Sequence, residues 1–264
     1  MSSNSQPEIV EFGKYQALGS YHWRLTYSGE KLSASPRNHA LYDASLDILT
    51  RWSGRSVESL FGSDVGCGDG VLLYKAQLRK GKIIGIDYSV KGLELAADEI
   101  FKRTSNRPQV LSGSCYELPL ISASLDYVIS TELIEHLDND ELFLQEVARV
   151  LRPGGIFVCT TPWRRQNSVF HDPYHVREYT PQELRQVIAK SLDRATVVGL
   201  YPAWLDRLYL WNKPHVLGRG VRALFKTLAL YYNPYQKILV SNPTDATRCA
   251  NLIGIGRKIG MLGR

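Results

Sequence analysis

The chain has 264 residues, of which 44% are hydrophobic and 22% charged, and its formal net charge is +6. This content suffices to bury a full core, so we expect one domain with appendages. The basic excess lies in residues 201–264, which hold ten Lys or Arg and two Asp. Because the remainder is slightly acidic, the net charge does not by itself indicate a nucleic-acid-binding protein.

The cysteines and the N-terminus predict the compartment. The four cysteines are widely spaced and form no CxxC pair, which favours reduced thiols in a cytoplasmic protein. Residues 1–12 are polar and lack the apolar core of a signal peptide. No stretch reaches the roughly 18 apolar residues that a membrane-spanning helix needs.

Strands and helices alternate along the chain after an N-terminal segment. Apolar residues at helical spacing predict a first helix from Asn38 to about Trp52. Strands are predicted at DVGCG, KIIGID, QVLSGS, DYVIST, IFVCTTP, ATVVGL and NLIGIGRK, with helices at about 71–80, 90–103 and 139–151. This order predicts an α/β fold with a Rossmann-like, doubly wound, mostly parallel sheet of seven strands.

Four parts are expected along the chain. They are a tail and aromatic cap (1–40), a core (41–200), a basic, aromatic helical insert (201–247), and a final strand with the C-terminus (248–264). Within the insert, apolar and basic residues of 217–232 fall on different faces of a helix. We expect this insert to form a substrate lid. The alternatives are a peripheral membrane contact, a packed structural insert and a dimer surface. The oligomeric state is open between monomer and homodimer.

The run DVGCGDG, from Asp64 to Gly70, has the form of a nucleotide-binding turn between a strand and a helix. Gly66, Gly68 and Gly70 leave the backbone bare where a cofactor approaches. The next strand ends at Asp87, whose carboxylate is placed to accept hydrogen bonds from a ribose diol.

The glycine spacing distinguishes between two cofactors. Dinucleotide sites use G-x-G-x-x-G, whereas this chain has G-x-G-x-G with Asp64 two residues before the first glycine. A carboxylate at that point repels a pyrophosphate and suits a ligand with an ammonium group. S-adenosylmethionine has an ammonium group, a ribose and no phosphate, so the residues favour it.

Five motifs in order resemble those of class I S-adenosylmethionine-dependent methyltransferases, especially the small-molecule group that includes ubiquinone-type enzymes. The resemblance covers about residues 55–200 and 250–258, and the motifs are DVGCGDG, GIDYS, GSCYELPL, SLDYVISTELIEHL and LRPGG. It implies S-adenosylmethionine as cofactor and a methyl transfer as the activity.

The resemblance also assigns roles to individual residues. Asp64, Gly66 and Gly68, with Gly70 closing the run, would line the methionine end, and Asp87 would bind the ribose. Tyr88 would lie against the adenine, with Ser114 and Cys115 near its polar edge. Ser114 stands where the family usually has an aspartate. Thr131 and Glu132, at the end of the fourth strand, would face the reacting methyl group.

A second group of residues follows the fourth strand. In TELIEHL, Glu132, Glu135 and His136 are spaced so that one helical turn brings them to one side. With His171 or His175 they form an oxygen and nitrogen set able to hold a divalent ion. The set resembles that of metal-assisted O-methyltransferases, for which His175 is the better match. The alternatives are a general-base role for His136 or His175, and a structural role.

The sequence therefore predicts an O-methyltransferase for a small molecule, such as a natural product or a quinone-like, glycan-linked or lipid-linked acceptor. Glu132, His136 and His175 are the predicted catalytic residues. An RNA 2′-O-methyltransferase or a protein methyltransferase is the first alternative, although no RNA-binding module is recognised. A non-catalytic, membrane-associated cofactor-binding protein is the second.

Overall fold

A computed structural model describes residues 13–27, 36–164, 174–202, 239–241, 243–244 and 249–260, together with Leu224. His171 and nearly all of the predicted insert lie outside the described residues, so the predicted helix over 217–232 stays a prediction. Among the residues that are described, no helix is both long and apolar enough to cross a bilayer.

The described chain alternates helices and strands much as the sequence predicts. The helices are α1 (Lys14–Leu18), α2 (Tyr21–Tyr27), α3 (Pro36–Ser53), α4 (Val71–Leu78), α5 (Val90–Thr104), α6 (Asp140–Val150) and α7 (Pro181–Ala189). The strands are β1 (Phe61–Val65), β2 (Lys82–Asp87), β3 (Gln109–Ser112), β4 (Leu125–Thr131), β5 (Leu151–Pro162), β6 (Asp193–Pro202), β7 (Leu239–Ser241) and β8 (Cys249–Arg257). A short 3-10 turn, Ile134–His136, follows β4.

The strands form one mixed sheet in the order β3-β2-β1-β4-β5-β8-β6-β7. The strands β1 to β5 are parallel, whereas β8 runs antiparallel to β5 and β6. The predicted doubly wound α/β architecture is confirmed, but the sheet has eight strands and not seven. The additional strand is β7, three residues long, which extends the edge by antiparallel pairing with Val198–Leu200 of β6.

Two elements differ from their predicted bounds for local reasons. The first strand ends at Val65 and does not continue through Gly66, because Gly66, Gly68 and Gly70 have φ of 76°, 51° and 86°. Those left-handed angles form a turn and cannot extend a strand. Helix α7 has no counterpart among the predicted elements, although a capping box of Thr180 and Glu183 marks its start.

Apolar side chains from the helices pack on the sheet in two separate clusters. Leu46 of α3 and Leu72 of α4 belong to one, while Phe143 of α6 and Leu184 of α7 belong to the other. Strand order reverses at β1, which lies between β2 and β4. A crevice therefore opens at the carboxyl ends of these central strands, where open α/β sheets bind their ligands.

Candidate active site

A cavity of about 700 Å³ lies at the carboxyl ends of β1, β2 and β4, beneath α1 and α2. Its residues fall into two groups. The glycine-turn half contains Asp64, Gly66, Asp87, Tyr88 and Cys115. The histidine half contains Glu132, Glu135, His136, Tyr174 and His175. Thr131, the last residue of β4, also lines the cavity.

Asp64 contributes a buried carboxyl group to the glycine-turn half. Its side chain is 1% exposed, and neither carboxylate oxygen has a hydrogen-bond partner among the described residues. Burial, and then the charge of Asp87, raise the pKa of Asp64 well above its ordinary value. Since an unpaired buried carboxylate is costly, a cation in the cavity would be stabilised beside it. This arrangement fits the ammonium group of S-adenosylmethionine.

Asp87 ends β2 and is fixed by backbone donors. The Gly68 N–H donates to its Oδ2 at 2.7 Å, and the Ser89 N–H donates to its Oδ1 at 2.8 Å. Burial nevertheless raises its pKa, and these two hydrogen bonds act against that rise. Each carboxylate oxygen keeps a second lone pair, so Asp87 can still accept from a ribose diol.

Some predicted cofactor residues support the cavity without lining it. Gly68 closes the turn by donating to Asp87, and Gly70 packs on α5, where a Cβ would meet the Ala96 Cβ at 2.7 Å. The Ser114 hydroxyl accepts from the Tyr116 N–H at 3.1 Å, and its neighbours Gly113 and Cys115 line the cavity instead. A contact of Ser114 with adenine stays a prediction.

The N-terminal cap is attached to the glycine turn through Asp69, to which sequence reasoning gives no role. The His22 N–H donates to Asp69 Oδ2 at 2.8 Å, and His22 Nδ1 lies 3.2 Å from Oδ1. The Trp23 indole N–H donates to the Asp69 carbonyl. A Cβ on Gly68 would lie 1.9 Å from the Tyr15 hydroxyl oxygen. The cap therefore covers the glycine turn at van der Waals distance.

Three residues converge in the histidine half. Glu135, His136 and His175 each offer a ligand atom, and these atoms lie within 4.8 Å of one another. The carboxylate is fully buried, and burial, followed by the charge of Glu132, raises the pKa of Glu135 well above its ordinary value. Sequence reasoning named all three residues, and the structure brings them together.

Each of the two imidazole rings is oriented by a hydrogen bond from its Nδ1 atom. His136 Nδ1 donates to the Tyr174 carbonyl at 2.9 Å, and His175 Nδ1 donates to Glu178 Oε1 at 3.1 Å. With the proton on Nδ1, the lone pair is on Nε2, which can bind a metal ion or accept a proton. Partners of this kind commonly fix metal-ligating histidines. Glu178, which is 4% exposed, was missed because it precedes α7 without a recognisable motif.

A family model described as a methyltransferase domain matches residues 63–159, from β1 through most of β5. A probable S-adenosylmethionine-dependent methyltransferase of Mycolicibacterium smegmatis is 36% identical over 148 residues, 53% of this chain and 52% of the relative. A ubiquinone biosynthesis O-methyltransferase of Azorhizobium caulinodans is 28% identical, over 61% of this chain and 65% of the relative. Residues 63–159 therefore resemble a methyltransferase domain, and the chain is similar to class I S-adenosylmethionine-dependent methyltransferases.

Solved methyltransferase structures share the fold across nearly the whole chain. A possible histamine N-methyltransferase from Thermotoga maritima superposes with a TM-score of 0.57 and 17% identity, over 94% of this chain and 98% of its own. Haemonchus contortus phosphoethanolamine N-methyltransferase 2, in complex with S-adenosylhomocysteine, superposes with a TM-score of 0.63 and 17% identity. The superposition covers 97% of this chain and 62% of the Haemonchus chain. The chain spans about half the length of the first curated relatives it matches.

Glu132 lies apart from the other members of its motif. Glu132 precedes the 3-10 turn and has a left-handed φ of 52°, so it does not share a helical face with Glu135 and His136. Its carboxylate accepts hydrogen bonds from Thr160 and Asn251. The convergent set thus holds three of the four predicted metal ligands, and ligation by Glu132 stays a prediction.

Proposed function

We propose that this methyltransferase transfers the methyl group of S-adenosylmethionine to a hydroxyl oxygen of a small molecule. The observation that carries the proposal is the convergence of Glu135, His136 and His175 in the same cavity as Asp64. Asp64 would bind the donor's ammonium, and the three converging residues would activate a hydroxyl within the same cavity. The likeness to ubiquinone O-methyltransferases at 26–32% identity supports an oxygen acceptor.

The protein's own contribution is binding and orientation. Asp64 would hold the methionine ammonium and Asp87 the ribose hydroxyls, while the cap would exclude water from above the glycine turn. The cofactor, when bound, supplies a sulfonium methyl whose C–S bond breaks, with its electron pair left on sulfur, as the acceptor oxygen forms the new C–O bond. Holding the two reactants together contributes up to about 7–11 kcal/mol in favourable cases.

The acceptor hydroxyl must lose its proton during the transfer. We propose that Glu135, His136 and His175 act on it by holding a divalent cation. Two imidazoles and one carboxylate, with open positions left for substrate oxygens, are a frequent donor set for divalent metals. A bound cation would lower the pKa of a coordinated hydroxyl. Without a cation, His136 or His175 would serve as the general base through Nε2.

The charge of the cavity favours a small acceptor over RNA. Six carboxylates and one lysine are found among the described residues that line it: Asp64, Asp69, Asp87, Glu132, Glu135, Asp138 and Lys14. Such a lining repels a polyanion, and a cavity of about 700 Å³ matches the usual size of small-molecule sites. A monomeric or homodimeric state and a peripheral membrane contact through 217–232 remain predictions.

Label transfer tests the proposal directly. The full chain would be incubated with methyl-labelled S-adenosylmethionine and a fractionated cell extract. We expect label in a small-molecule fraction, in a product that survives the mild alkali that hydrolyses methyl esters. Label confined to RNA or protein would contradict the proposal.

A second experiment addresses the cation. Elemental analysis and calorimetric titration with Mn²⁺ or Zn²⁺ would be compared between the wild-type protein and His175→Ala. His39→Ala is the matched control, since His39 contacts Lys75 and does not line the cavity. Full activity of a metal-free protein would refute the cation and leave the methyl transfer intact.

A further inference from the structure

The carboxylate of Glu132 is held in place by two residues from neighbouring strands. The Asn251 side-chain amide, on β8, lies 3.0 Å from Glu132 Oε1 and 3.1 Å from Oε2, and donates to them. The Thr160 hydroxyl, on β5, donates to Oε1 at 3.0 Å. Asn251 is 4% exposed and Thr160 is fully buried. Donors buried to this extent in a sheet are preorganised, so the carboxylate they hold has little freedom.

The backbone of Glu132 is also constrained. Its φ of 52° is left-handed, which a glutamate adopts only at a cost in free energy. Its N–H lies within hydrogen-bond distance of the Thr160 carbonyl (3.1 Å) and of the Thr160 hydroxyl oxygen (3.2 Å). Thr160 therefore contacts both the main chain and the side chain of Glu132. Strain of this kind persists where the surrounding structure imposes it, and it is concentrated at functional sites.

Glu132 lies where the two halves of the cavity meet. The next residue, Leu133, packs on the glycine turn, since a Cβ on Gly66 would lie 3.0 Å from its methyl carbons. Tyr42 lines the same cavity as Asp64 and Glu132. Burial raises the pKa of Tyr42, and the charges of Asp69, Asp64 and Glu132 raise it further. On the other side, the charge of Glu132 acts on Glu135.

We infer that Asn251 and Thr160 are positioning residues, which hold the Glu132 carboxylate as a fixed anion at the point where the methyl group and the acceptor oxygen meet. The inference rests on the proposed function and assigns to Glu132 a role other than metal ligation. A carboxylate there would accept a hydrogen bond from the acceptor hydroxyl and aim the oxygen at the methyl group. Accepting this hydrogen bond and aiming the oxygen do not require Glu132 to bind a metal ion together with Glu135, His136 and His175.

The test compares two ligands that differ only at the transferred group. S-adenosylhomocysteine lacks the methyl group, whereas sinefungin carries an ammonium-bearing carbon in place of the sulfonium and its methyl. Calorimetry of the full chain in chelator-containing buffer gives the affinity ratio of the two ligands without requiring an acceptor or a metal. We expect the wild-type protein to bind sinefungin roughly 10-fold or more tightly than S-adenosylhomocysteine, since hydrogen bonds to charged groups are strong.

Three substitutions and one control separate positioning from stability. Glu132→Gln and Asn251→Leu should reduce the ratio to within about threefold of unity, and Thr160→Val should give an intermediate ratio. S-adenosylhomocysteine affinity should stay within about threefold of wild type throughout. Ser130→Ala is the control, because Ser130 is buried in β4, its hydroxyl has no partner among the described residues, and it does not line the cavity. It should keep the wild-type ratio.

Each other outcome has a definite meaning. A wild-type ratio near unity that Glu132→Gln leaves unchanged would overturn the placement of Glu132. A ratio lost in Glu132→Gln but kept in both Asn251→Leu and Thr160→Val would overturn the positioning role. If Asn251→Leu does not fold, Thr160→Val alone decides. Failure of the wild-type protein to bind S-adenosylhomocysteine would contradict the proposed function, and the inference with it.

Discussion

The two halves of the cavity are built in different ways. The glycine-turn half comes from residues close together in the sequence, with the exception of Cys115, and its geometry is set by left-handed backbone angles at three glycines. The histidine half joins the end of β4 to the segment before α7, and it depends on Asn251, which is 119 residues from Glu132. The first half is therefore a local structure, and the second is formed only by the folded sheet.

The largest expected effect tests the charge of the glycine-turn half. Asp64→Asn should weaken S-adenosylhomocysteine binding roughly 100-fold, since a charged hydrogen bond to the ammonium is lost. Calorimetry would measure it, with Asp47→Asn on the exposed face of α3 as control. Binding within threefold of wild type would remove Asp64 from the site.

The stability of the Asp64→Asn variant should also differ from that of the wild-type protein in its dependence on pH. Because the pKa of Asp64 is raised in the folded state, the folded protein binds more protons, and its free energy of unfolding falls as pH rises above the unfolded pKa. Without ligand, Asp64→Asn should therefore melt at a higher temperature than wild type at pH 7, and the gap should shrink toward pH 4. Thermal denaturation across this range measures it, and an equal gap at both pH values would contradict it.

In the histidine half, metal affinity should fall both when a proposed ligand is removed and when the residue that orients this ligand is changed. His175→Ala should lower Mn²⁺ or Zn²⁺ affinity by about 100-fold or more, because one ligand of three is removed. Glu178→Gln should lower it by about 10–100-fold by releasing the His175 ring. Calorimetric titration measures both, and S-adenosylhomocysteine binding should change little. Equal affinities in the wild-type protein and Glu178→Gln would show that Glu178 does not orient the ligand.

A stability measurement separates close packing from backbone conformation in the glycine turn. Gly70→Ala places a Cβ 2.7 Å from the Ala96 Cβ at a φ of 86°. Gly54→Ala is the matched control, with a φ of 67° and open space around the Cβ. The control should cost about 1–2 kcal/mol of unfolding free energy. Denaturant unfolding should show that Gly70→Ala costs about 1–3 kcal/mol more unfolding free energy than Gly54→Ala. Equal costs for the two variants would exclude a contribution from crowding against Ala96.

The smallest effect concerns the cap. His22→Ala removes the ring that lies 3.2 Å from Asp69 Oδ1 but keeps the backbone hydrogen bond. We expect S-adenosylhomocysteine affinity to fall roughly 2- to 10-fold, equivalent to one hydrogen bond. Arg24→Ala, on an exposed position of α2, is the control. A loss comparable to that of Asp64→Asn would mean that the cap contacts the ligand directly.

Local patterns accounted for most of the core. Helices α4, α5 and α6 lie within a few residues of their predicted bounds. Helices α5 and α6 are amphipathic and have side-chain N-caps, whereas α4 follows directly on the glycine turn. The strand β7 was missed because three residues are too few to show an alternating pattern. The spacing of TELIEHL predicts a helical turn that includes Glu132, whereas the structure gives Glu132 a left-handed backbone, which spacing alone cannot indicate.

The sequence by itself predicted the resemblance to class I methyltransferases and the glycine-turn half. Both depend on contiguous motifs, in which glycines permit backbone angles forbidden to other residues and a carboxylate ends each of two strands. The resemblance predicted that His175 joins Glu135 and His136, but tertiary structure alone decided that Glu132 lies apart from them, that Glu178 orients His175, and that Asn251 and Thr160 hold Glu132. These contacts join residues far apart in the chain, and their distances are set by sheet order and register, which no local motif encodes.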